Sequence, residues 1–184
     1  MKICFLSMST YPILAEKNLE SAGGAEVQLV SIAKELVRYG YDVSFVTFDY
    51  GQKNASILKN TEVIKSYRYD KARELNFFAK FAYIFRALWK SHADIYVCSA
   101  DSHGVLPFFS FLKRKKFIYR IPSDKVVLNG SESLVIRLVE LVDIKKANIV
   151  IAQSLYQKEK LRANFGVKSV VIKNSFDVPK FKPK

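Results

Sequence analysis

Cysteine is scarce in this 184-residue chain: only Cys4 and Cys98 are present. Both lie inside apolar runs, where a small buried thiol is expected rather than a disulfide or a metal ligand, which fits a reducing compartment. Histidine is equally sparse, with His92 and His103 alone, and no spacing of His, Cys, Asp and Glu suits zinc or iron, so no metal site is expected. Seven glycines and five prolines are too few for a collagen-like or disordered chain. Neither a G-x-G-x-x-G nor a G-K-[ST] run occurs, which argues against nicotinamide-dinucleotide and P-loop chemistry. Long hydrophobic runs are also missing. Phe77 to Trp89 is interrupted by Lys80 and Arg86 and falls short of the roughly 20 residues a spanning helix needs. Ile3 to Leu6 is broken at once by Ser7, Ser9 and Thr10, too early for a signal-peptide core.

What is present is 49% hydrophobic and 26% charged residues, enough to bury the core of one domain of ordinary size. Acidic residues are in deficit, with 17 against 30 Lys and Arg and a net charge of +13. Residues 1–92 carry 13 basic against 9 acidic residues, whereas 93–184 carry 17 against 8. Such a balance attracts phosphate-bearing partners without saying whether these are lipids, nucleic acids or sugar nucleotides. Base-reading motifs and exposed-strand aromatic patterns are lacking, so nucleic acid is not the expected partner.

The hydrophobic pattern alternates between two periods. Short β-branched and aromatic runs predict strands at Lys2 to Ser7, Asp42 to Phe48, Val63 to Ser66, Ile95 to Ser99, Lys116 to Ile121, Ala147 to Ala152 and Ser169 to Lys173. Helical spacing predicts Ala25 to Tyr39, Leu75 to Lys90, Val105 to Leu112, Ser133 to Val142 and Leu155 to Asn164, with Gly40 as the stop of the first. The expected fold is α/β: a single Rossmann-like domain over residues 1–184, a mostly parallel sheet with helices on both faces. On a helical wheel, Ile84, Phe77, Leu88, Phe81, Phe85, Phe78, Trp89 and Ala82 form one arc, expected to pack on the sheet, with Lys80, Arg86 and Lys90 behind it. The basic back is free to face anionic lipid.

Ligands of such sheets bind beyond the carboxyl ends of the strands, so the loops following strands form the functional edge. Gly23 and Gly24 stand there before the first crossover helix, where free backbone N–H groups hold an anion or the glycines simply make the turn. His103, with Asp101 nearby, is either an acid/base or hydrogen-bonding group or a loop residue capping a helix. Strand-end position adds Ser102, Arg120, Ser123 and Asp124. Lys113, Arg114, Lys115 and Lys116 lead into a strand and belong to the opposite edge. With Phe108, Phe109 and Phe111 beside them, they suit membrane-surface contact as well as plain solvation.

The run Gly23-Gly24-Ala25-Glu26-Val27-Gln28-Leu29, continuing through Leu36, Gly40 and Asp42 to Thr47, resembles the opening of the family 4 glycosyltransferases. Ala147 to Ser154 and Val171 to Asp177, with Phe181 and Pro183, resemble two later stretches in the same order. Phe117 to Asp124 is similar to a subset that makes extracellular or capsular polysaccharide. Ser175 stands where that family usually has Gly, and Pro122 where many members have His.

The resemblance implies the first half of a two-domain GT-B glycosyltransferase, with the donor-binding domain absent or on a separate chain. It implies retaining transfer of a sugar from a nucleotide-sugar co-substrate to a lipid-linked or saccharide acceptor hydroxyl, without metal or other cofactor. Gly23 and Gly24 would then meet the donor phosphates, and Asp101, Ser102, His103, Arg120, Ser123 and Asp124 would line the acceptor side. Lys80, Arg86, Lys90 and Lys113 to Lys116 would hold the protein at the cytoplasmic membrane face. A non-catalytic basic module that binds a membrane surface or a partner is the alternative.

Overall fold

The computed structural model describes residues 1–15, 23–52, 61–99, 102–128 and 133–174. The apolar runs become strands β1 (Lys2–Leu6), β2 (Asp42–Asp49), β3 (Thr61–Arg68), β4 (Ile95–Cys98), β5 (Lys116–Arg120), β6 (Ile149–Ala152) and β7 (Val170–Val171). They form one sheet in the order β3-β2-β1-β4-β5-β6-β7, and every neighbouring pair is parallel. Sequence and structure differ mainly at strand ends. β3 is longer than its apolar centre, because Thr61 and Arg68 extend the ladder with β2, while β7 is cut to two residues at the sheet edge.

Parallel strands need crossovers, and these are helices α1 (Tyr11–Leu14), α2 (Gly24–Arg38), α3 (Phe77–Ser91), α4 (Val105–Lys113), α5 (Asp124–Val127), α6 (Leu134–Lys146) and α7 (Leu155–Phe165). The single turns α1 and α5 carry no periodicity and are not visible in the pattern. Local chemistry sets the ends of the longer helices. Gly40 takes φ +82° just beyond α2, a left-handed turn that favours glycine. The Asn76 side chain caps α3 by accepting the Ala79 N–H at 2.8 Å. Pro107 falls in the first turn of α4, where no intrahelical N–H is lost.

Alternate strand residues feed two cores. Ile3, Phe5, Val43, Phe45, Val63 and Val97 pack under α1 and α2, whereas Cys4, Leu6, Val46, Tyr96, Cys98, Phe117, Tyr119 and Val150 pack with residues of α3, α4, α6 and α7. Helices therefore lie on both faces. Both cysteines are buried free thiols, and burial pushes Cys4 up to about 11, away from reactivity. The buried Tyr96 hydroxyl meets Ser91 Oγ at 3.0 Å and the Ala93 N–H at 3.2 Å, tying the end of α3 to β4.

The arc on α3 divides. Ile84 and Leu88 are buried, but Phe77, Phe78 and Trp89 remain 47%, 81% and 47% exposed. The sheet and α4 take up one stripe of the helix, with Phe108 of α4 at 5.8 Å from Phe81 and 6.1 Å from Phe85. On the face under α1 and α2, coverage stops short of the far strands. Ile149 and Val170 point to the same side as Ile118 and stay exposed.

Phe45 is fully buried and stacks on Phe5 at 5.1 Å between the central strands. Phe45→Ala is expected to lower unfolding stability by about 3–5 kcal/mol, measured by chemical denaturation.

Candidate functional site

Chain order reverses between β1 and β4, so the crevice at their carboxyl ends is where a ligand of this sheet belongs. On the β1 side, Gly23 is the N-cap of α2 with no side-chain cap, and Gly23 and Gly24 are both exposed. Among the described residues, a β-carbon on Gly24 would meet nothing within 4 Å. Beside Gly23 the space is partly taken. Glu26 turns back until its carboxylate occupies the place where a Gly23 β-carbon would stand. A carboxylate thus already answers the positive end of the helix, as at many N-termini.

On the β4 side, Ser102 is buried and its hydroxyl donates to Asp143 Oδ1 of α6 at 2.7 Å while accepting the Gly104 N–H at 3.1 Å. The hydroxyl is therefore engaged inside the protein. His103 is partly exposed and takes φ 46°, a left-handed conformation uncommon outside glycine, directly before Gly104 at φ 73°. Asp101 lies outside the described residues.

The other expected residues meet through neutral amides. Arg120, the last residue of β5, is 3% exposed, and its guanidinium donates to Ser99 Oγ at 3.4 Å and to Asn174 Oδ1. Asn174 Nδ2 donates to Gln153 Oε1 at 2.8 Å, and Gln153 Nε2 reaches the carbonyls of Ile121 and Pro122. Gln157 accepts the Gln153 N–H at 2.8 Å and donates to Asp124 Oδ1 at 2.9 Å. Arg120 and Asp124 are thus joined by three amides drawn from the ends of β6 and β7 and from α7. Ser123 is the exposed N-cap of α5 and makes no side-chain cap bond. Gln157 was not a candidate from sequence. Its only signal is the place three residues after Ser154, whose Oγ caps α7 through the Gln157 N–H at 3.1 Å.

A second group escaped the sequence. Tyr11, Tyr50 and Tyr69 stack in series, with centroids 5.8 and 4.9 Å apart, where α1 and the ends of β2 and β3 meet. These rings come from separate segments, so no local pattern announces them.

The basic residues lie elsewhere. Lys113 Nζ sits 3.1 Å from the centroid of Trp89, Arg114 ends α4 at φ 51°, Lys115 is 3.6 Å from Asp94, and Lys116 opens β5. All four are at the amino ends of the strands. Arg86 and Lys90, with Phe85 and Trp89, line a shallow hollow of about 340 Å³ on α3, and Lys80 is partly exposed on the same helix. Among the described residues no cluster of three metal-ligating side chains occurs, and no helix is long and apolar enough to cross a membrane.

Burial pushes Asp143 up to about 7, against the opposing hydrogen bond from Ser102 and with some help from nearby Glu140. An acid whose folded value is raised favours folding when protonated, so stability should fall as pH rises from about 4 through about 7. The loss is on the order of 4 kcal/mol at most. Melting curves across that range should show the decline in the native protein and a flatter profile in Asp143→Asn.

The fold agrees with independent comparisons. The chain superposes over 100% of its length on sucrose-phosphate synthase from Thermosynechococcus elongatus, with TM-score 0.71 and 15% identity, covering 50% of that chain. It superposes equally fully on Anabaena HepE in complex with UDP and glucose, with TM-score 0.63 and 19% identity, covering 47% of that chain. The lipopolysaccharide outer core galactosyltransferase WaaB matches over 91% of this chain and 43% of its own, with TM-score 0.56 and 16% identity. This chain therefore spans about half the length of these two-domain GT-B neighbours. Among curated proteins no significant sequence match is found. The profile of Glycosyltransferase Family 4 matches residues 22–179, and over that span, most of its length, the chain belongs to this family.

Proposed function

We propose that this chain is the acceptor-side half of a retaining glycosyltransferase that moves a sugar from a nucleotide-sugar to an acceptor hydroxyl in cell-surface polysaccharide or glycolipid synthesis. The observation that carries the reading is the N-terminus of α2 at Gly23 and Gly24, where Gly23 supplies no side-chain cap and a β-carbon on Gly24 would meet no described atom, within the family-matched span. Diphosphate of a donor held by a second domain would accept those N–H groups, and they would stabilise charge building on the leaving group. Glu26 would have to swing aside, and the acceptor would lie toward His103, Arg120, Ser123 and Asp124. No metal or other cofactor takes part in this reading. The HepE structure holds UDP and glucose, which supports a nucleotide-sugar donor here.

Since the solved neighbours carry about as much chain again, we infer that residues 1–184 alone transfer no sugar and need a donor-binding domain, on a longer chain or a partner. Co-expression with such a domain tests this: sugar transfer should appear only with both halves. Gly24→Val should abolish most of that transfer, lowering activity more than stability, because an added β-carbon meets no described atom within 4 Å yet the side chain fills the anion's space. Undiminished turnover would remove the phosphate role of the glycines.

The exposed aromatic residues favour attachment to the cytoplasmic membrane face. Phe78, Trp89 and Phe111 are 81%, 47% and 85% exposed, beside Lys80, Arg86, Lys90 and Lys113 to Lys116. Each basic residue near an anionic surface is worth about 1 kcal/mol, so several suffice for reversible binding. The same surface fits the second reading, a non-catalytic membrane-surface or partner-binding module. Replacing Lys113, Arg114, Lys115 and Lys116 by Gln should release the protein from anionic vesicles without unfolding it. Transfer to a soluble acceptor should persist in the assembled enzyme, and equal loss toward soluble and membrane acceptors would place the run in the cleft instead.

A further inference from the structure

Arg120 is a buried cation that no carboxylate among the described residues answers. The residue is 3% exposed, and the two described groups that its guanidinium donates to, Ser99 Oγ at 3.4 Å and Asn174 Oδ1, are both neutral. Among the described residues no carboxylate pairs with it; the five ion pairs involve other groups. Burial lowers its pKa, and no charged neighbour among the described residues contributes. Arginine does not discharge in a protein, so the cost of burying it is met by an anion or left standing.

The contrast within the same sheet is instructive. Arg68, at the carboxyl end of β3, is exposed and grips Asp70 with two bonds of 3.0 and 2.6 Å. The exposed arginine, which water would satisfy, has a carboxylate; the buried one, which needs it more, has a hydroxyl and an amide. Those neutral partners hold the guanidinium in one place. Asn174 is itself fixed by Gln153 Oε1, so its carbonyl oxygen stays turned to Arg120. Among the described residues, two of five N–H groups in the planar fork are thereby engaged, leaving capacity for a two-pronged oxyanion.

The location suits a ligand as well. Arg120 follows Ile118 on one side of β5, beside β4 of the switch point, and it shares that side of the sheet with α2. Asn174, exposed at the carboxyl end of β7, marks the approach from solvent.

We propose that Arg120, held by Ser99 and Asn174, is a subsite for an oxyanion carried by the acceptor, a phosphate or carboxylate group. This rests on the reading of the strand-end edge as the acceptor side, and it narrows the acceptor class to anionic molecules.

The test is thermal unfolding of the 184-residue chain at constant ionic strength, with sodium phosphate or sodium acetate replacing chloride. Four proteins are compared: wild type, Arg120→Lys, Arg120→Met, and the variant with Lys113 to Lys116 changed to Gln. A saturable rise in melting temperature is expected in the wild type and equally in the surface variant, since the basic run is not the site. Arg120→Lys should need at least tenfold more anion for the same rise, and Arg120→Met should show no saturable rise. Whether phosphate or acetate acts at lower concentration identifies the group. A wild type with no saturable response to either anion overturns the proposal, as does an unchanged response in Arg120→Lys. If Arg120→Met does not fold, Arg120→Lys decides the matter. The measurement uses no donor sugar, so its failure is separable from failure of the transferase reading, which would appear as absent transfer in the assembled enzyme despite an intact anion response.

Discussion

Everything in this molecule depends on the strands all running one way. With every pair parallel, each connection must return across a face of the sheet, and all strand carboxyl ends gather at one edge. Burial on both faces follows, which is why β1 is apolar from Ile3 to Leu6 and why its residues divide between two cores instead of one. β1 carries this constraint most heavily. It pairs with β2 on one side and β4 on the other, and the reversal of chain order at that junction opens the crevice.

The two edges differ in chemistry because they solve different problems. At the amino edge, Asp94 receives the Lys2 backbone N–H at 2.9 Å and faces Lys115, so charge there is answered by charge in contact with water. Its carboxyl is held below the usual aspartate range, first by the Lys2 N–H and then by Lys115. At the carboxyl edge, amides do most of the connecting. Gln153, Gln157 and Asn174 link β5, β6, β7 and α5 without cancelling the charge of Arg120 or removing that of Asp124. Neutral linkers keep these groups oriented.

The outer surface of α3 follows from the same economy of space. A helix crossing from β3 to β4 rests only one stripe on the sheet, and Ile84, Ala87 and Leu88 fill that stripe. An aromatic arc wider than the contact must spill over. Phe78 and Trp89 are the overflow, and Lys113 from the end of α4 covers one of them through its ring face.

The sequence by itself determined the α/β alternation, the helix stop at Gly40, the burial of Cys4 and Cys98, and the sorting of Gly23, Arg120 and Asp124 to one edge and Lys113 to Lys116 to the other. These are local matters: a period of two or 3.6, a left-handed turn, the direction of a strand. Ends shifted wherever pairing outweighed propensity, as at Thr61, and the single turns α1 and α5 were invisible because four residues hold no period. Only tertiary structure decided what each candidate touches. Ser102 meets Asp143 across 41 positions, Arg120 meets Asn174 across 54, and Tyr11, Tyr50 and Tyr69 stack from three segments. Periodicity shows which way a side chain points; which neighbour waits there depends on strand order, and strand order is a property of the whole sheet.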